Sequence, residues 1–201
     1  MEYTPPQNTR GATGKTPCLA LFCHRLIFTS GVCIGEGTTK AASGVAIVFA
    51  ARRDGVQSSP ILPSIDPGRN RTQARAELLA ACYGLNRIRK IIQQTRGRIA
   101  AKRYIIVTDS SYVLTGMTQW VPHWRSIGRR INAAQPVDNL DLFQRLDTAI
   151  SRVEQKANVM IGFCLQPPNP STRASQFANQ AATTALAKQQ QAQNKFWSSI
   201  L

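Results

Sequence analysis

An apolar run, Tyr104-Ile105-Ile106-Val107, closes on Thr108-Asp109 and is followed at once by Ser110-Ser111-Tyr112-Val113. A short run of aromatic and β-branched residues without polar alternation reads as a strand buried on both faces. Such a strand needs cover above and below, which constrains the chain to a sheet flanked by helices. Its terminal carboxylate, Asp109, is well placed for metal chemistry, because sites in open α/β sheets are commonly built at strand ends. A second acid, Glu77, stands at the head of an apolar helix.

The order of elements fixes the class further. Leu19–Thr29 is a β-rich apolar segment that Gly31, Gly35 and Gly37 are expected to break, and Gly44–Ala50 is a second strand. A short third strand and a long loop fill the Gly/Pro/Ser-rich stretch Gly55–Arg69. Ala76, Leu79, Ala80, Tyr83, Arg87 and Ile91 then fall at helical spacing, with Thr72 as a cap. After the 104–108 strand come a short helix at 111–117, a Trp-bearing segment at 119–130 and a helix over 139–154. A strand at Val159–Leu165 and a last helix from near Ser171 complete the order, with Ala174, Phe177, Ala178, Ala181, Ala185 and Leu186 on one stripe. Strands first, then helix, strand, helices, strand and helix make a mixed α/β sheet with helices on both faces.

The chain has 201 residues, enough for one domain with a proper core. Pro5, Pro6, Gly11, Gly14 and Pro17 make residues 1–18 read as a disordered leader, leaving 19–190 as the domain and 191–201 as a C-terminal tail. No apolar run approaches the ~18 residues of a membrane span. A net charge of +15 favours a polyanionic partner, nucleic acid before a membrane surface. Five Cys without a C-x-x-C pair and two His give neither a disulfide framework nor a zinc site, and place the chain in a reducing, intracellular setting.

Six segments in order carry a resemblance to a known family. They are Ile27-Phe28-Thr29-Ser30-Gly31, Ala42-Ser43-Gly44-Val45, Thr72-Gln73-Ala74-Arg75-Ala76-Glu77-Leu78, Val107-Thr108-Asp109-Ser110-Ser111-Tyr112-Val113, Gly116-Met117-Thr118-Gln119-Trp120-Val121 with Trp124 and Arg125, and Pro136-Val137-Asp138-Asn139-Leu140-Asp141-Leu142-Phe143. Together they resemble the cellular type I ribonuclease H family over about Ile27–Leu186. The resemblance implies a ribonuclease H-like fold, a five-stranded mixed sheet flanked by helices. It also implies cleavage of the RNA strand of RNA/DNA hybrids by four carboxylates and two Mg²⁺ ions. Two cations held ~4 Å apart clamp the attacking water and the leaving oxygen, and clustered carboxylates offset their charge.

This chain departs from that set. By resemblance the retained carboxylates are Glu77 and Asp109, while the first-strand Asp position holds Ser30 and the last-helix Asp position holds Ser175. The family's loop His belongs near Leu165 or Gln166, and no His follows His123. No acid can stand in from those elements, since none lies between Glu2 and Glu36 or from Gln155 to Leu201. The metal expectation is therefore weak binding of Mg²⁺ or Mn²⁺ by Glu77 and Asp109, or no cofactor. A pseudoenzyme is the expected outcome.

Nucleic-acid contact is expected from Gln73 and Arg75 in the substrate-reading loop, with Ala74 unable to contribute a side-chain hydrogen bond. The second expected contact is the basic handle, Trp120, Trp124, Arg125, Arg129 and Arg130. The two Trp read either as packing anchors or as stacking platforms. Arg87, Arg89, Lys90, Arg96, Arg98, Lys102 and Arg103 form a further basic group, read either as a nucleic-acid surface or as a solvated face. Four functions stay open: a catalytically defective protein that binds RNA/DNA hybrid or other duplex, a weak hybrid endoribonuclease, a structural or adaptor subunit with a protein partner, and, least favoured, a new reaction in the remodelled cleft. The nucleus, the cytoplasm and the mitochondrion are not distinguished.

Overall fold

In the computed structural model, strand β4 (Arg103–Thr108) lies between β1 (His24–Ile34) and β5 (Met160–Leu165) and pairs in parallel with both. The structure describes residues 24–49, 55–67, 70–95, 102–127, 137–167, 169 and 172–198. Strands β2 (Ala42–Phe49) and β3 (Val56–Ile61) extend the sheet antiparallel on the other side of β1, giving the order β3-β2-β1-β4-β5. The sheet is thus five-stranded and mixed, as expected.

Helix α1 (Gln73–Gln94) and helix α4 (Leu140–Ala157) pack together on one side. Between them in sequence, α2 (Ser111–Thr115) passes through a π-helical turn at Gly116–Trp120 into α3 (Val121–Ser126). Ile27, Tyr104, Ile106, Leu78, Ile88, Phe143 and Leu146 are all buried in the core between these helices and the sheet. Helix α5 (Arg173–Ser198) covers the opposite face, across β1, β2 and β3. Its backbone is helical as far as Ser198, into the stretch expected to be tail. No helix of the described residues is long and apolar enough to cross a membrane.

Two glycines set how closely these layers approach. Gly31 was expected to break the first strand, yet β1 runs through it to Ile34. A Cβ at Gly31 would lie 2.2 Å from the Ala76 carbonyl oxygen, so the glycine admits the first turn of α1 against the strand. The chain turns instead at Gly35 and Gly37, both at positive φ. Leu19–Cys23, the start of the expected strand, lies outside the described residues.

Gly44 does the same for α5: a Cβ there would lie 2.2 Å from the Ala182 nitrogen. Gly44→Val is expected to cost about 3 kcal/mol by overpacking, lowering the thermal midpoint by ~6–12 °C. An unchanged midpoint would mean that α5 does not seat on β2 in this way.

The Thr72 cap agrees with the sequence reading, and a second cap forms at Ser110. Thr72 Oγ1 accepts from the Arg75 amide at 3.2 Å, and Ser110 Oγ accepts from the Val113 amide at the same distance. Cys33, Cys82 and Cys164 are free thiols, and burial pushes the Cys82 thiol up to about 11.

Candidate functional site

Four elements meet at the carboxyl end of β4, beside the middle of β1. Strand β1 brings Ser30, the end of β4 brings Asp109, the second turn of α1 brings Glu77, and the first turn of α5 brings Ser175. The sequence reading named these four residues. The structure joins three of them in direct contact. Ser30 Oγ donates to Asp109 Oδ2 at 3.2 Å, Ser175 Oγ donates to the same oxygen at 3.4 Å, and the two hydroxyls are 3.4 Å apart. Both serines are buried, and Thr172 Oγ1 donates to Ser175 Oγ at 2.8 Å. Hydroxyl protons thus converge on the oxygen where carboxylates and cations would otherwise alternate.

Glu77 is held separately. Ser110 Oγ donates a short hydrogen bond to its Oε2, and Gln73 Nε2 donates to its Oε1 at 2.8 Å. Ser110 is a participant that sequence reasoning missed. It sits beside Asp109 and caps α2, and nothing in the spacing announced that its hydroxyl also reaches Glu77 across 33 positions.

The donor set does not fit a pair of Mg²⁺ ions. Both oxygens of Glu77 and one oxygen of Asp109 already accept hydrogen bonds from the protein's own donors. Neutral hydroxyls cannot offset the charge of two divalent ions. Among the described residues, no three His, Cys, Asp or Glu side chains come together in a way that could hold a metal ion.

The residues expected to read a substrate are placed differently from expectation. Gln73 turns inward: its Nε2 donates to the Gly31 carbonyl at 2.8 Å as well as to Glu77, and its Oε1 accepts from the Cys33 amide at 2.9 Å. It staples α1 to β1, so its amide is committed within the fold. Arg75 is buried and spends every N–H inside the protein. Nε and Nη2 donate to the two Asp66 oxygens at 2.7 Å, Nη1 and Nη2 reach Asp141 at 3.1 and 2.9 Å, and Nη1 also reaches Asn139 at 3.1 Å. The Asp66 hydrogen bonds outweigh burial and raise the pKa of the Arg75 guanidinium, with Asp141 adding to the effect. Arg71 binds the same Asp66 at 2.8 Å. These arginines therefore brace the fold where a phosphate contact was expected. The adjoining cleft, about 480 Å³, has Glu36, Asp138 and Asp141 on its walls, with Arg75 as the one lining cation among the described residues.

In the handle, Trp120 packs at 5.4 Å from Tyr112 and 6.0 Å from Phe143, and Trp124 at 5.7 Å from Phe143 (ring centroids). Of the two readings left open, the geometry favours packing anchors. Arg125 pairs with both oxygens of buried Asp147 and with Ser151, while its side chain stays 49% exposed. Arg129 and Arg130 lie outside the described residues, as do Arg96 and Arg98. Arg87 lies 5.6 Å above the Phe49 ring, and Arg89, Lys90, Lys102 and Arg103 are exposed.

Comparison with known proteins bears on this arrangement. The family model for RNase H matches residues 24–183. Ribonuclease H of Pseudomonas savastanoi pv. phaseolicola is 36% identical over 110 residues, 55% of this chain and 66% of the relative, so the chain spans just under two thirds of that protein. Ribonuclease H of Alcanivorax borkumensis is 29% identical over 167 residues, 83% of this chain and 97% of the relative. Among solved structures, LC11-RNase H1 in complex with RNA/DNA hybrid gives a TM-score of 0.51 at 16% identity, covering 81% of this chain and 99% of that one. The PFV RNase H domain gives 0.54 at 20% identity, covering 81% and 94%. These structural likenesses speak to the fold alone.

Proposed function

The chain belongs to the ribonuclease H family, and on that premise we propose that it binds RNA/DNA hybrid or other duplex nucleic acid without cleaving it. The carrying observation is the corner where Ser30 and Ser175 hydrogen-bond Asp109 Oδ2. It leaves two carboxylates at the site, Glu77 and Asp109, each engaged by neighbouring side chains. The chemistry of hybrid cleavage needs charge placed to stabilise the attacking and leaving oxygens, and a hydroxyl corner does not supply it.

Binding rests on different terms. The net charge of +15 attracts a phosphate backbone, and replacing two acids by serine removes two negative charges from the face that meets it. Arg75 and Gln73 are spent inside the fold, so the contact comes from the exposed cations and the half-exposed Arg125. Sequence-independent, electrostatic recognition follows, with little discrimination of RNA from DNA.

The test is an electrophoretic or anisotropy measurement on the full chain in EDTA. Hybrid binding is expected to persist and to weaken by roughly 10³-fold between 50 and 200 mM salt. Parallel incubations with Mg²⁺ and with Mn²⁺ are expected to leave the RNA strand intact. Cleavage abolished by Glu77→Gln or Asp109→Asn would instead establish an active enzyme.

A further inference from the structure

Helices α1 and α4 leave a groove between them that none of Ser30, Glu77, Asp109 and Ser175 lines. One stretch of it has a volume of about 520 Å³, and an adjoining stretch of about 700 Å³ continues it toward Arg145. The two stretches share Leu85, Asn86, Arg89, Ala149 and Arg152, so they are continuous. The floor of the first stretch is apolar: Leu85 and Val153 are buried, and Ile92, Ala149 and Ala157 are half-buried; the second stretch keeps Leu85 and Ala149 but adds the polar Gln144 and Thr148. The rim is cationic, with Arg89 on α1 facing Arg145, Arg152 and Lys156 on α4, all four exposed.

None of these four cations takes part in the ion pairs formed among the described residues, which involve Arg71, Arg75 and Arg125. Asp141, the one carboxylate on the lining among the described residues, is held by Arg75. Arg145, Arg152 and Lys156 are seven and four residues apart, so they form a single stripe along α4. That stripe is roughly 16 Å long at helical rise.

We propose that this groove docks an acidic amphipathic helix of a partner protein. Its apolar stripe would lie on the floor, and its flanking carboxylates would meet Arg89, Arg145, Arg152 and Lys156. Charge alone would suit a phosphate backbone equally well. The apolar floor decides between them, because a helix laid in a groove buries an apolar face between two charged flanks, whereas a sugar–phosphate strand has nothing to cover that floor. On α1 the groove starts at Cys82, five residues beyond Glu77 or roughly 8 Å along the helix axis, and its near end shares Asp141 with the cleft beside Arg75.

The test uses the full chain and a labelled synthetic 21-residue peptide with Leu at heptad a and d positions and Glu flanking them. A scrambled peptide of identical composition and a 20-base-pair RNA/DNA hybrid serve as the other probes. The amphipathic peptide is expected to bind at least ~10-fold more tightly than the scrambled one. Arg89→Glu with Arg152→Glu is expected to weaken the peptide by ~10-fold or more, and so is Ala149→Gln, which leaves the net charge unchanged but places an amide on the floor. Hybrid affinity is expected to be unaltered by Ala149→Gln. Equal binding of the two peptides, or indifference to either variant, overturns the proposal. So does loss of hybrid binding in the charge-reversal variant with peptide binding intact, which would make the groove a nucleic-acid surface. Failure of the wild-type protein to bind hybrid would sink the proposed function while leaving the peptide comparison decisive for the groove.

Discussion

Ser30→Asp combined with Ser175→Asp is expected to raise hybrid cleavage in Mg²⁺ by ~10³-fold or more over the wild-type protein, since several kcal/mol of barrier separate the two donor sets. The geometry makes a second effect inseparable from the first. Both serines lie within 3.4 Å of Asp109 Oδ2, so the double variant gathers three carboxylates at one corner. Without a cation these repel one another, and the variant is expected to melt several degrees below wild type in EDTA. Mg²⁺ should then raise its melting temperature, while the wild-type value stays unchanged by the same addition. The pairing of a metal-dependent melting shift with metal-dependent cleavage is the informative outcome. Equal cleavage by the two proteins would refute the idea that the serines are what silences the site.

Arg75→Ala is expected to be the most damaging change at any of the residues expected to bind nucleic acid, and the damage should be to stability. All five N–H groups of Arg75 are satisfied by Asp66, Asp141 and Asn139, and the side chain is 6% exposed against 7% for Asp66. Removing one member of a buried pair strands its partner's charge, at a cost of about 3–5 kcal/mol. For a chain of this size that corresponds to a fall of ~6–20 °C in the thermal midpoint. Arg71 still reaches Asp66 at 2.8 Å, which places the expected value at the lower end. Arg75→Lys keeps the charge but cannot reproduce the planar fork, and should fall between wild type and alanine. A loss under about 1 kcal/mol in Arg75→Ala would contradict a bracing role. A loss of nucleic-acid affinity at unchanged stability would return Arg75 to the binding surface.

Much of the fold could be read from the sequence, and the reasons are local. The 104–107 run is buried because it has no polar alternation, and α1 follows from apolar spacing and a Thr72 cap whose hydrogen bond is present. The site residues were legible for another reason: ordered motifs fix which backbone positions converge, and Ser30, Glu77, Asp109 and Ser175 do lie on the four meeting elements. What motifs do not fix is the direction in which a polar side chain is spent. Gln73 and Arg75 sit where substrate contacts were expected, but their partners are set by tertiary packing. Gly31 and Cys33 come from a neighbouring strand, Asp66 from the preceding loop, and Asp141 from a helix 66 positions away. Gly31 was misread for a related reason. A glycine in a strand signals either a break or a close approach, and only the position of Ala76 shows which.

The placement of α5 bears on how the chain reaches its native state. The Ser30–Ser175 contact closes a loop of 145 positions, and the helix that closes it follows all the strands of the sheet in the chain. Until it arrives, the face of β1, β2 and β3 notched by Gly44 has no cover from α5. Folding therefore includes a non-local closure, which is expected to make it slower than that of a helical bundle of similar size. A nascent or truncated chain ending before Arg173 presents an open sheet face, the kind of surface on which chaperones act and aggregates begin.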